Sequence, residues 1–167
     1  MRIIVAVDQS ENWKEIIASV TRSSWPKDAQ FKVLTVVEPS KIGSQNDLIC
    51  KLFAEQDEAR RRKRGEQILS SVRTMLIQSL TNSRVHTELR EGAAASEILD
   101  AATAWMADKI VVGAHGASPN RLLPGSLSRS IARHAGCSVE IVRLKSAPPG
   151  CMDDKAPTDF VTTASSS

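Results

Sequence analysis

The chain contains no tyrosine, and aromatic residues make up 4% of its 167 positions. A surface that holds single-stranded nucleic acid by stacking bases on aromatic rings needs more than this. Charge is equally sparing: 22 basic against 19 acidic residues leave a net +3, far from the one-sided basic excess of a nucleic-acid binder. Nucleic acid is therefore not the expected partner. Cysteine is limited to Cys50, Cys137 and Cys151, with no C-x-x-C pair. That excludes a disulfide framework and fits free thiols in a reducing compartment. His134 and Cys137 alone do not make a zinc site. No stretch approaches the roughly 18 apolar residues of a membrane span. The run from Met1 to Asp8 is too short for a secretory leader. These absences point to a soluble, cytoplasmic chain.

What is present is an alternation of two periods. Ile3 to Val7 is a β-branched apolar run that reads as a strand buried on both faces. Ser10 is placed to cap a helix carrying Trp13, Ile16, Ile17 and Val20 at helical spacing. Phe31 to Val37 reads as a second buried strand, ended by Glu38-Pro39. A long helical region follows, with one apolar stripe at Leu48, Ile49, Leu52 and Phe53 and another at Ile68, Leu69, Val72, Met75 and Leu76. Between the stripes lies Arg60-Arg-Arg-Lys-Arg64, whose like charges repel at i,i+4. This run predicts a frayed segment or a loop between two helices, either a solvated face or a contact for an acidic partner. Arg84 to Arg90 alternates as an edge-type strand, and Gly92 turns the chain. Ala94 to Ala107 reads as a helix, Ile110 to Val112 as a strand, Ser126 to Ala135 as a helix with Gly136 at its left-handed end, and Val139 to Leu144 as the last strand. The three tryptophans read as packing residues.

Strands alternating with helices define an α/β domain: a mainly parallel sheet with helices on both faces, built by right-handed crossovers. It is expected to span residues 1–145. Residues 146–167, rich in Pro, Ser and Thr, read as a disordered tail. In such sheets ligands bind beyond the carboxyl ends of the strands, where strand order reverses. Asp8, Val36 and Gly113 stand at those ends.

The most informative stretch joins Gly113-Ala-His-Gly116 to Gly125-Ser126-Leu127-Ser128. A strand precedes it and a helix follows it. Glycines allow close backbone approach, and a helix N-terminus supplies unpaired N–H groups and partial positive charge. That order builds an anion site. Arg121 would either neutralise a phosphate or face solvent. His115 would donate to a phosphate or serve only as a surface residue. Asp8 is acceptor-only when ionised and suits an amine or a hydroxyl, not a phosphate.

These residues resemble the universal stress protein family. The nucleotide-binding members of that family carry Gly, two residues, Gly, nine residues, then Gly-Ser or Gly-Thr. Gly113, Gly116, Gly125 and Ser126 occupy those places, and the likeness extends through the opening strand and Leu34 to Glu38. The resemblance implies the adenine nucleotide hydrolase-like fold, an open twisted five-stranded sheet of order 3-2-1-4-5. It implies a stress-response or signalling regulator that binds an adenine nucleotide, ATP preferred, with Mg²⁺ alongside. Asp8 and Val36 would flank the adenine, Gly113 and Gly116 the ribose and phosphates, and Gly125, Ser126, Leu127 and Ser128 would cradle the phosphates. It also implies a homodimer pairing the last strand, Val139 to Leu144.

The chain departs from the pattern in three places. The spacer from Ala117 to Pro124 holds eight residues, Pro124 lacks an N–H directly before Gly125, and Glu140 interrupts an otherwise apolar last strand. Paired Glu140 side chains are expected to repel across a dimer. No general base stands out, so the expectation is a binding protein with at most very slow ATP hydrolysis. The alternative is an interaction module of the same fold that no longer binds nucleotide.

Overall fold

A computed structural model of the chain describes residues 1–39, 48–80, 84–114 and 125–143. Strand β1 (Arg2–Ala6) leads to α1 (Trp13–Arg22), β2 (Gln30–Val37), α2 (Leu48–Ser79), β3 (Arg84–Glu91), α3 (Ala94–Ala104), β4 (Lys109–Gly113), α4 (Ser126–His134) and β5 (Ser138–Val142). The strands form one parallel sheet of order β3-β2-β1-β4-β5. This is the fold class that the alternation of periods predicts. The tail from residue 146 lies outside the described residues.

The two-residue period of β1 explains why helices cover both faces. Ile3, Val5 and Val7 enter one core with Ile16, Ile17 and Val20 of α1 and Val72 and Leu76 of α2. Ile4 and Ala6 enter the other with Ile98 and Ala101 of α3 and Ile131 of α4. A strand buried this way has no polar face to show, hence its unbroken apolar run. At the sheet edge, Val85 and Leu89 of β3 pack toward the α2 side while Arg84, His86 and Thr87 are exposed. All three tryptophans pack: Trp13 is in the first core, Trp25 meets Phe31 edge-on at 5.4 Å, and Trp105 lies against the second core. No helix among the described residues is long and apolar enough to cross a membrane.

Four local expectations are corrected. The basic run does not break the chain, because α2 is continuous through it. Tertiary partners offset the repulsion: Arg61 pairs with Asp57 one turn earlier, and Arg62 pairs with Glu91 at the end of β3. Ser10 does not cap α1, whose N-cap is Asn12. Its hydroxyl is drawn instead into a turn, donating to Asp8 and accepting from the Asn12 N–H. Helix α3 stops at Ala104, since Met106 takes φ 51° and the N–H groups of Met106 and Ala107 close back on Thr103 and Ala102. That is a Schellman ending built on a methionine. Gly136 is not left-handed. Ala135 turns extended directly, at φ −68° and ψ 135°, and feeds β5.

Gly65 has a structural reason inside α2. A Cβ there would stand 2.9 Å from Leu89 Cδ1 and 3.3 Å from Thr35 Cγ2. The helix thus lies directly on β2 and β3. Gly65→Val is expected to destabilise the fold by about 1–3 kcal/mol through overpacking. Gly65→Ala should stay within about 1 kcal/mol, because better helix propensity opposes the contact. Met106→Gly should stabilise by up to about 1 kcal/mol, since the side chain is 69% exposed and its left-handed backbone suits glycine. Urea unfolding midpoints of the three variants check these outcomes.

Candidate functional site

The cleft lies at the carboxyl ends of β1, β2 and β4. The chain moves outward from β1 to β2 and β3, then returns to β4 on the other side of β1. Loops leaving β1 and β4 therefore diverge, and a crevice opens between them. It holds a cavity of about 70 Å³ over Ala6, Val7, Leu34 and Val112, with Ile16, Ile98 and Leu127 reaching in from α1, α3 and α4. Asp8, Val36, Ala94 and Gly113 complete the lining, and Asp8 is its one ionisable side chain among the described residues.

Hydrogen-bond parity determines what Val36 offers. The Val7 N–H donates to the Leu34 carbonyl at 2.9 Å. Leu34 and, two residues on, Val36 thus direct their N–H and C=O toward the β1 side. Thr35 and Val37 face β3, consistent with the Gly92 N–H donating to the Val37 carbonyl at 3.1 Å. Strand β1 has left the sheet by this level, so the Val36 N–H and C=O border the cleft as an adjacent donor and acceptor. Glu38 continues the same edge. Its carbonyl accepts from Arg61 Nη1 at 2.8 Å, and its carboxylate accepts the Ala94 N–H at 3.2 Å.

Asp8 has a double role. It lines the cleft, and its Oδ1 accepts the Ser10 hydroxyl at 2.7 Å and the Ser10 N–H at 3.3 Å. The carboxylate is thereby oriented by the turn that follows β1.

The far end of the cleft is the start of α4. The Ala114 carbonyl accepts the Gly125 N–H at 2.6 Å and the Ser128 hydroxyl at 3.1 Å. Ser128 is 1% exposed, and its hydroxyl also lies 3.1 Å from the Gly125 carbonyl. Its oxygen anchors α4 to the end of β4. Gly125 is the N-cap, with no side-chain cap bond and no acidic residue in the first turn. The first-turn N–H groups and the exposed Ser126 hydroxyl are what this end offers an anion. Leu127 belongs to the cleft wall.

The structure thus brings Asp8, Val36, Gly113 and Leu127 to one cleft and sets Gly125, Ser126 and Ser128 at its α4 end. His115, Gly116 and Arg121, with the short spacer and Pro124, lie outside the described residues. Sequence reasoning missed the α3 wall, Ala94 and Ile98, and the two rim residues Glu38 and Arg61. Glu38-Pro39 marked a strand end, but nothing local tied it to α2 or α3. Cys137 is a packing thiol: burial, then the Asp108 charge, pushes its pKa above the ordinary thiol value.

A cleft at the switch point of a 3-2-1-4-5 sheet, with a strand edge at one end and a helix start at the other, is the arrangement of a doubly wound α/β domain. Residues 1–143 match the universal stress protein family, and the chain belongs to it. Universal stress protein A homolog 2 of Coxiella burnetii is 29% identical over 147 residues, covering 86% of this chain and 93% of that protein. Among solved structures, UspA from Lactobacillus plantarum matches with a TM-score of 0.69 at 23% identity, over 86% of this chain and 97% of that one. A universal stress protein family member from Arabidopsis thaliana, solved with AMP bound, matches with a TM-score of 0.62 at 16% identity, over 95% of this chain and 97% of that one.

Beside Val36 in the sheet register stands Arg90, the centre of an ion-pair chain. Lys32 Nζ lies 2.8 Å from Glu88, Arg90 Nε lies 2.6 Å from the same carboxylate, and Arg90 Nη1 lies 3.4 Å from Glu97. Burial alone would raise the Glu88 pKa, but hydrogen bonds from Lys32 and Arg90 outweigh it and hold the group below its usual value of 4.5. A lowered folded-state pKa stabilises the fold above the unfolded value, and that contribution fades as pH falls through the folded value. Glu88→Gln should therefore lower stability at pH 7, with the gap to wild type narrowing as pH drops below about 4.5. Unfolding free energies of both proteins across that range check the sign.

Proposed function

We propose that the cleft binds an adenine nucleotide, with ATP the preferred ligand, and that occupancy serves a stress-response or signalling role without turnover. One observation carries this reading: the Val36 edge and the α4 start face the same cleft from opposite ends. About two strand spacings, near 10 Å, separate them. Adenine presents an amino donor beside a ring acceptor, the complement of the Val36 C=O and N–H. The oriented Asp8 carboxylate lies between, where a ribose hydroxyl can donate to it. The α4 N-terminus takes the phosphate end. The AMP-bound Arabidopsis protein supports a ligand of this class.

Asp8 is the one carboxylate of the described lining, and no group of three metal-ligating side chains occurs among the described residues. A Mg²⁺ accompanying ATP would accordingly be held by phosphate oxygens and water. Within the described lining, Asp8 is the side chain able to act as a general base.

A homodimer through β5 belongs to the same reading. Lys109 Nζ lies 3.1 Å from Glu140 and 5.3 Å from the centre of the Trp25 ring, so Glu140 enters any strand pairing with its charge offset. The repulsion expected of paired Glu140 side chains is thereby relieved. The free-thiol environment of Cys137 suits a cytoplasmic setting.

A second reading, the nucleotide-free interaction module, is favoured by the commitment of the Gly125 N–H and the Ser128 hydroxyl to the Ala114 carbonyl. Ser126→Asp separates the two. A carboxylate at the first position of α4 suits the helix dipole, so stability should hold or rise by about 0.3–1 kcal/mol. Nucleotide affinity should fall tenfold or more, ATP suffering more than AMP because it carries more negative charge there. Titration calorimetry with AMP, ADP and ATP, together with native mass spectrometry for oligomer size, measures both. Absence of binding by the wild type at millimolar nucleotide would establish the module reading instead.

A further inference from the structure

We propose that Glu38 sets the direction in which an anionic ligand lies in the cleft, by seating its own carboxylate on the start of α3. This rests on the adenine-nucleotide reading of the cleft. Two helices contribute first-turn residues to the cleft lining, Ala94 from α3 and Leu127 from α4. A helix start attracts an anion whichever helix supplies it. The two starts are therefore rival phosphate sites. That of α3 is tied to the end of β2, beside the Val36 edge, and that of α4 to the end of β4.

The two starts are not equally free. Ala93, the N-cap of α3, makes no side-chain cap bond, and the Ala94 N–H donates instead to the Glu38 carboxylate at 3.2 Å. Glu38 is held in place from two sides. Its carbonyl accepts from Arg61 Nη1 at 2.8 Å, and Pro39 after it favours extended backbone. Glu97 also lies in the first turn of α3, but it is drawn toward Arg90, 3.4 Å away. The first turn of α4 carries no acidic residue and no side-chain cap bond. Glu38 is thus an anion of the chain itself, seated at the start where a phosphate would turn the ligand round. Glu38 is exposed and Ala94 is only partly buried. An incoming anion can therefore reach the same N–H from the cleft once the carboxylate is gone. Asp8 repels an anion between the two ends, and Glu38 does so at the α3 end. A cap that served stability alone would need an acceptor oxygen, charged or not.

The test is backbone-amide NMR of the full chain: wild type, Glu38→Gln and Glu38→Ala, each titrated with inorganic phosphate and with AMP. In wild type both ligands should move the amides of Ser126, Leu127 and Ser128 and leave those of Ala94 and Ala95 in place. In Glu38→Ala, phosphate should shift the Ala94 and Ala95 amides saturably, with an affinity within about tenfold of that at α4, and AMP should perturb both ends. Glu38→Gln keeps an acceptor oxygen without the charge. It should bind phosphate at Ala94 about three- to tenfold more weakly than Glu38→Ala does. Ala94 and Ala95 amides that ignore phosphate in both variants would overturn the proposal and leave Glu38 a cap. So would a wild type in which phosphate shifts them as readily as in Glu38→Ala. If Glu38→Ala does not fold, Glu38→Gln decides, since silence of Ala94 toward phosphate there also overturns it. Wild-type amides that nowhere respond to AMP remove the nucleotide reading itself, a result read on a different ligand and a different helix.

Discussion

The hydrogen bond from the Val7 N–H to the Leu34 carbonyl, 2.9 Å long, is the last backbone hydrogen bond joining the end of β1 to β2, with the Thr35 hydroxyl donating to the Val7 carbonyl beside it. Everything at the carboxyl edge depends on where it falls. Strand β1 is paired on both sides and buried on both faces, yet it covers five residues while β2 covers eight. Beyond the link, β2 continues with only β3 beside it, and Val36 and Glu38 turn polar backbone groups toward a partner strand that is no longer there. Backbone donors and acceptors at such an edge need partners other than a strand. The fold answers at Glu38 with the Arg61 guanidinium and leaves Val36 facing the cleft. The Asp8–Ser10 turn is what takes β1 out of the sheet, so one short polar motif both ends the strand and orients the carboxylate.

The two halves of the cleft differ in electrical character. Toward β4, the Ala114 carbonyl gathers the Gly125 N–H and the Ser128 hydroxyl, tying the end of the strand to the start of α4. With those donors satisfied internally, what remains outward is the first turn of the helix and Ser126. Toward β2, the polar groups are an amide edge and the Asp8 carboxylate. A ligand with a neutral heterocycle at one end and a negative charge at the other experiences favourable fields at both. Reversed, its anion would meet Asp8. Orientation therefore follows from the order of strands, not from shape alone.

How much of this was legible in the sequence follows from the range of the forces involved. The apolar runs at Ile3 to Val7, Phe31 to Val37 and Ile110 to Val112 specify parallel strands because only burial on both faces demands them. The stripes in α1 and α4 specify which helix face meets the sheet. Asp8, Val36, Gly113 and Leu127 were legible because strand ends are local events. What escaped was set by contacts distant in sequence. The basic run reads as a break when only its own i,i+4 neighbours are counted, and becomes ordinary helix once Glu91 and Glu38 are placed beside Arg62 and Arg61. Ser10 satisfies every local rule for a cap, yet Asp8 holds it in a turn two residues earlier. The end of α3 depends on a methionine adopting a conformation that composition assigns to glycine.

The long-range ties of α2 also bear on how the site holds together. Gly65 brings the helix onto β2 and β3, Gln9 fastens the Arg61 carbonyl to the β1 turn, and Arg61 fastens the end of β2. Glu38 then reaches through its carboxylate to the first turn of α3. The chain of contacts crosses from the α1–α2 layer to the α3–α4 layer through the carboxyl rim, where the hydrophobic cores on either side of the sheet do not meet. Cores hold each helix to its own face, and polar contacts couple the faces to one another at this edge. That coupling falls to three polar residues whose partners are mainly backbone groups.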